Sequence, residues 1–262
     1  MLPQKAVPLP RRMKMIIITD GLVIKETNTK ENDKVITILT RDRGIIRAFA
    51  NNAKKINNPK NNATGLLAYS KFEIYKGRNA YSVNSAEVKE LFLPLRSDLT
   101  KMALAQYLCE LTGELAPREE NSEEQLRLLL NTLYFIAKGE RCTRTLKAIF
   151  EMRSMSLAGY MPNLVCCDNC KCYEHENMHF LPDNGILVCG SCLKLYHQQA
   201  VFVGINATFA LRHSIYTELN RLFTLTLDAD TLNIFEHTCE LYTIKHIDKQ
   251  LKTLDFYKII RT

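Results

Sequence analysis

Two Cys-x-x-Cys pairs, Cys167-Asp168-Asn169-Cys170 and Cys189-Gly190-Ser191-Cys192, stand 18 residues apart. Each pair sets two thiols on one tight turn, and two such turns close a tetrahedron of soft sulfur donors suited to zinc. Cys167, Cys170, Cys189 and Cys192 are therefore the candidate ligands of an inserted zinc-ribbon-like motif at 164–195. Gly190 helps the second knuckle turn, and Gly185 turns the hairpin between the pairs. Four sulfurs leave no open coordination position, so the metal is expected to be structural, not catalytic. Cys166 and Cys172 lie within two residues of the first pair and are alternative ligands. His175 and His179 read as surface histidines.

The remaining cysteines carry no spacing signal. Cys109, Cys142 and Cys239 fall in helix-like apolar stretches, where a reduced thiol behaves as a small hydrophobe. A disulfide framework is out of place in a chain of this size with no secretory signal. No run of eighteen uncharged apolar residues exists to span a bilayer. Met15-Ile16-Ile17-Ile18 is too short for a signal segment and Asp20 follows it closely. These features predict a cytoplasmic protein. Met1 to Arg12, with three prolines and two adjacent arginines, reads with the following two residues as a leader at 1–14, a disordered arm or an upstream start.

Charge is divided unevenly. Residues 1–95 hold 17 Lys or Arg against 8 Asp or Glu, whereas 96–262 hold 18 against 20. Between Arg41 and Arg78 nine basic residues face two acidic ones. An excess this local points to an anionic partner for the N-terminal part; the plain alternative is a solvated face.

That part reads as strands. Gly21 to Lys25 is one and Val35 to Thr40, rich in β-branched residues, is a second. Arg41-Asp42-Arg43-Gly44 makes a tight turn into a third strand, Ile45 to Ala50. Lys71 to Tyr75 alternates polar and apolar, and Lys76-Gly77-Arg78-Asn79 turns into Tyr81-Ser82-Val83. Five short strands without an intervening helix predict a small antiparallel barrel, the strand count of an OB-fold. Asn51 to Asn62, with six asparagines and three lysines, is expected to be an exposed, mobile loop on which Lys54, Lys55 and Lys60 stand as free charges.

From Ser97 the period becomes helical. Leu99, Met102, Ala103, Leu108, Leu111 and Leu115 share a face that ends at Pro117. Ser122 with Gln125 reads as a capping box opening a second helix, which Gly139 terminates. A third runs from about Thr143 to Ala158, and further helices are predicted over 207–223 and 231–252. The chain is thus expected to be α+β and multidomain: a barrel at 15–95, then an all-α domain at 96–262 carrying the inserted four-cysteine motif.

Motifs of catalysis are missing. The sequence holds no GK[ST] phosphate loop and no GxSxG. The letters HExxH occur once, at His175-Glu176-Asn177-Met178-His179, between the two cysteine pairs and outside any helical pattern, and its histidines read as surface residues. Its six histidines are dispersed and no carboxylate pair has acid–base spacing. The expectation is a protein that is not an enzyme.

Several short segments, in order, carry a family resemblance: Glu31-Asn32-Asp33-Lys34, Thr40-Arg41-Asp42-Arg43-Gly44-Ile45-Ile46, Ala53-Lys54-Lys55, Tyr75-Lys76-Gly77-Arg78, Ala86-Glu87-Val88, Phe92 through Leu99, and Leu157-Ala158-Gly159-Tyr160-Met161-Pro162 before the first knuckle. From Met15 to about Ile260 this order resembles the bacterial recombination mediator RecO family. The resemblance implies an N-terminal OB-fold that binds single- and double-stranded DNA, anneals complementary strands and works with RecR. It also implies contact with single-stranded-DNA-binding protein, to help load recombinase, and a nucleoid-associated protein that hydrolyses no nucleotide. Arg41, Arg43, Arg47, Lys54, Lys55, Lys60, Lys71, Lys76 and Arg78 occupy the matching domain. As phosphate contacts they would give salt-dependent binding largely indifferent to sequence. Phe49, Phe72, Tyr75 and Tyr81 are candidate stacking platforms, although their alternation with polar residues makes more of them barrel core than platform. A different class, a zinc-ribbon RNA-binding or transcription-associated factor, would use the same basic barrel. An enzyme with redox cysteines or a catalytic metal is a third.

Overall fold

The computed structural model describes residues 15–29, 31–55, 58, 60–78 and 80–261; the expected leader at 1–14 lies outside them. Five strands, β1 (Met15–Asn28), β2 (Lys34–Thr40), β3 (Gly44–Ala50), β4 (Tyr69–Lys76) and β5 (Tyr81–Glu90), close into an OB-like barrel in the order β1-β2-β3-β5-β4. β1 is long because it serves two neighbours: its first half pairs antiparallel with β4 and its second half with β2. Gly21 sits where the two ladders overlap, and a Cβ there would come within 2.6 Å of the Ile38 side chain. Only glycine lets the strand turn that corner.

Period-two alternation fills the barrel with Ile17, Val23, Ile36, Ile38, Ile46, Ala48, Phe72, Ile74 and Val83. The outward residues Leu22, Ile24 and Leu39 are also buried, because the helical half covers that side. A strand buried on both faces reads as an uninterrupted apolar run, as Leu22-Val23-Ile24 does.

The Asn51–Asn62 loop is better packed than its composition suggests. Lys60–Ala63 forms a short helix, α1, whose Ala63 is buried. Lys60 is not a free charge: its ammonium donates to the Val83 carbonyl at 3.2 Å. Lys54 is half-buried and only Lys55 of the three is exposed.

The helices are α2 (Leu93–Arg96), α3 (Leu99–Leu115), α4 (Glu123–Lys138), α5 (Thr143–Leu157), α6 (Gly204–Tyr216), α7 (Leu219–Leu222), α8 (Ala229–His246) and α9 (Lys252–Ile260). Asp98 caps α3, accepting from the Lys101 N–H at 3.0 Å. The expected capping box at Ser122 does not form. Its hydroxyl is buried without a partner among the described residues, and the Asn121 side chain accepts the Glu123 N–H instead. The helix expected over 207–223 is two, broken where Thr217 and Glu218 turn extended. The last one ends at His246, and extended Ile247 opens the turn into a separate α9. Cys109 and Cys239 are core, but Cys142 is exposed at the start of α5, so it does not pack as expected.

A charged network joins these helices. Lys147 of α5 is fully buried, and its ammonium lies 2.8 Å from Glu151 and 2.9 Å from Glu240 of α8. Tyr107 of α3 donates to Glu151 at 2.5 Å, and Lys258 of α9 pairs with Glu240 at 2.6 Å. Burial lowers the lysine pKa, but the two carboxylates outweigh it and hold Lys147 above the ordinary lysine value.

Candidate nucleic-acid interface and metal centre

Between α5 and α6 the chain forms a four-stranded sheet from β6 (Asn163–Cys167), β7 (Met178–Leu181), β8 (Ile186–Cys189) and β9 (Val201–Phe202), in the order β6-β8-β7-β9. It extends past the expected 164–195 on both sides. Gly185, at φ +66°, turns β7 into β8. β6 and β8 run parallel and end in Cys167 and Cys189, which brings the two knuckles to one end of the sheet. Gly190 allows close approach: a Cβ there would meet that of Asn177 at 2.9 Å.

The Sγ atoms of Cys167, Cys170, Cys189 and Cys192 all lie within 4.8 Å of one another, and Cys170 and Cys189 are 3.6 Å apart. A zinc–thiolate bond of about 2.3 Å places tetrahedral sulfurs about 3.8 Å apart, so the cage fits. Two donors already face it. The Cys189 N–H reaches Cys167 Sγ at 3.3 Å and the Asn169 amide reaches Cys192 Sγ at 3.2 Å. The Cys172 N–H and the neighbouring thiols bring the Cys170 thiol down to about 6, while burial pushes Cys189 up to about 12. One thiolate suppresses ionisation of the next, and a divalent cation removes that penalty. Cys166 and Cys172 stand outside the cluster and are half-buried.

The nine basic residues proposed from sequence are not one surface. Arg47, Lys76 and Arg78 come together in a surface groove of about 500 Å³ at the seam of β3 and β5. Phe49 and Tyr81 line it with them, Phe49 being 46% exposed. Arg47 and Phe49 alternate with the inward Ile46, Ala48 and Ala50, so strand periodicity alone puts a cation and an aromatic face side by side. Lys76 lies over the Tyr81 ring at 5.5 Å and 3.4 Å from Glu119, to which the Tyr81 hydroxyl donates at 3.0 Å. These partners hold the Lys76 ammonium above, and Glu119 below, their ordinary values. The pair is exposed and worth little, so Lys76 can exchange partners readily.

The others sit elsewhere. Arg41 is 2.9 Å from Asp20, whose carboxylate also holds Lys89 at 2.5 Å. Arg43 is exposed on the β2–β3 turn, and Lys71 is exposed on β4 between Asp20 and Glu87. Lys54, Lys55 and Lys60 follow β3. Of the aromatic candidates, Phe72 is buried barrel core and Tyr75 is half-buried. Sequence reasoning missed Glu119, a residue of the α3–α4 connection with no spacing relation to the barrel.

Fold and site define a class: a barrel with a basic, aromatic-lined groove, docked on a helical domain that carries a four-thiol cage. Residues 13–92 match the family described as Recombination protein O N terminal, and residues 96–255 match Recombination protein O C terminal. The chain belongs to the RecO family. It is 30% identical to the DNA repair protein RecO of Acetivibrio thermocellus over 92% of this chain and 96% of that one. With those of Symbiobacterium thermophilum and Caldicellulosiruptor saccharolyticus it shares 26% and 28% identity, over 93% and 92% of its length and 97% of each relative. Among the described residues no helix is long and apolar enough to cross a membrane.

Proposed function

We propose that this protein is a DNA repair and recombination mediator, and the groove of Arg47, Phe49, Lys76, Arg78 and Tyr81 is the observation that carries the reading. It binds single- and double-stranded DNA, anneals complementary strands, and with RecR helps load recombinase on DNA coated by single-stranded-DNA-binding protein. Arg47 and Arg78 neutralise phosphates and release their counterions. Phe49 offers a ring on which any base can stack, so binding is indifferent to sequence. A strand held by its backbone keeps its pairing edges toward solvent, and neutralised phosphates lower the repulsion a second strand must overcome. Binding energy performs this work; the protein is not an enzyme, and it acts in the cytoplasm at the nucleoid.

Residues 15–95 form the DNA-binding domain and 96–262 the helical domain. Cys167, Cys170, Cys189 and Cys192 hold a structural zinc that ties β6 and β8 together at their knuckles. Arg41, Arg43, Lys54, Lys55, Lys60 and Lys71 lie outside the groove and contribute as a diffuse field, not as contacts to one strand.

Annealing of two complementary oligonucleotides, followed by fluorescence energy transfer, tests the reading. The wild-type chain accelerates annealing, and Arg47→Glu with Arg78→Glu loses most of that acceleration while keeping its melting temperature. Equal acceleration by both proteins would move the function off the groove.

A further inference from the structure

A second concavity, of about 850 Å³, lies between the outer face of the barrel and α3. Its walls include Ile24, Ile45 and Leu66 from the barrel side and Cys109 and Gly113 from α3. Four carboxylates also line it, and each is engaged within the protein. Glu26 accepts from Lys34 and the Leu66 N–H, and Glu110 accepts from the Thr253 N–H and hydroxyl. Glu114 pairs with Lys249, and Glu119 with Lys76 and Tyr81. The cations Lys25, Arg47 and Arg118 are exposed and make no ion pair or side-chain hydrogen bond among the described residues. Among the described residues Glu110 is the one carboxylate here without a cation partner. With Lys34 and Lys76 counted as the partners of Glu26 and Glu119, the cleft combines an apolar interior with a modest excess of positive charge, the complement of an anion with a flat apolar body.

Arg47, Tyr81 and Glu119 line both this cleft and the groove, so the two concavities meet. We propose that the interdomain cleft is a second nucleic-acid subsite, continuous with the groove, that takes an unstacked base of a single strand while Lys25 and Arg118 hold its flanking phosphates. This rests on the groove being the nucleic-acid path. It makes the helical domain a direct contributor to binding, through Arg118 of the α3–α4 connection. A continuous duplex keeps its bases paired inside the helix, so the cleft favours single strands over duplexes.

The test is fluorescence anisotropy with the full chain and labelled oligothymidines of about 4 and about 16 nucleotides, the range one barrel of this type covers. Lys25→Gln with Arg118→Gln is expected to weaken the long oligonucleotide and flatten its log–log salt slope by about 0.7 per lost phosphate contact. The short one, which the groove alone accommodates, is unaffected. Gly113→Phe fills the cleft and gives the same selective loss, about tenfold; the Cβ at this position meets only the Ile24 side chain, at 3.6 Å. Melting temperatures equal to wild type confirm that each variant is folded. Unchanged binding of both lengths, or equal weakening of both, overturns the proposal. Arg78→Glu, outside the cleft, is the control for the groove: if it alters neither length, the groove reading fails and the cleft proposal falls with it.

Discussion

Gly44 stands against the carbonyl of Pro117 so closely that no side chain fits between them. The adjacent Ile45 N–H donates to that same carbonyl at 2.9 Å, the Glu119 N–H to Arg43 O at 3.0 Å, and the Ser122 N–H to Arg41 O at 2.8 Å. The β2–β3 turn of the barrel is therefore clamped by backbone bonds to the connection between α3 and α4. Gly44 also has φ +57°, where an L side chain is strained. Gly44→Ala is expected to cost about 1–3 kcal/mol from the backbone alone, with the clash added. Denaturant unfolding reads the loss, and a variant as stable as wild type would show that the clamp yields easily.

Ser122 makes an opposite prediction. A serine that caps a helix costs about 1 kcal/mol when replaced by alanine. Here the hydroxyl is buried and bonds to nothing among the described residues. Ser122→Ala is expected to leave stability unchanged or raised, by the same denaturant measurement, whereas a loss near the capping value would restore the capping box.

Lys147 tests the helical core. Removing its ammonium leaves the buried Glu151 without a counter-charge and Glu240 with Lys258 alone, so Lys147→Met is expected to destabilise by about 3–5 kcal/mol. Adding Glu151→Gln removes the stranded charge and recovers part of the loss. No recovery in the double variant would mean that Glu240 alone governs the network.

The zinc proposal predicts that the purified chain holds stoichiometric zinc by elemental analysis. Cys167→Ser or Cys189→Ser loses it and melts at a lower temperature. Cys142→Ser, at an exposed thiol outside the cage, keeps both. Metal retained in the Cys167 and Cys189 variants would bring Cys166 or Cys172 into the ligand set.

Legibility from sequence followed the range of the interactions. The four cage cysteines and the barrel strands are local patterns, spaced by one turn or by the period of a strand, and the structure brings them together as those patterns require. The groove was half legible: Arg47 and Phe49 follow from alternation on β3, but their meeting with Lys76, Arg78 and Tyr81 depends on β3 pairing with β5. Composition misled in part over 51–62: Asn51, Asn52, Lys55 and Asn62 are exposed as expected, but Ala53 is buried in the barrel core and Lys60 opens a short helix whose Ala63 is buried. Lys147 is a charged residue in a helical stripe, and only α8 and α3, far away in sequence, turn it into core.

The most direct test of the central claim is the salt dependence of single-stranded DNA binding, measured by anisotropy for the wild-type chain, for Arg47→Glu with Arg78→Glu, and for Lys54→Glu with Lys55→Glu. The account predicts affinity that falls linearly with salt on logarithmic axes, a large loss with a shallower slope in the groove variant, and only a small loss in the loop variant. Wild-type binding that ignores salt, or a loop variant hit harder than the groove variant, would contradict it.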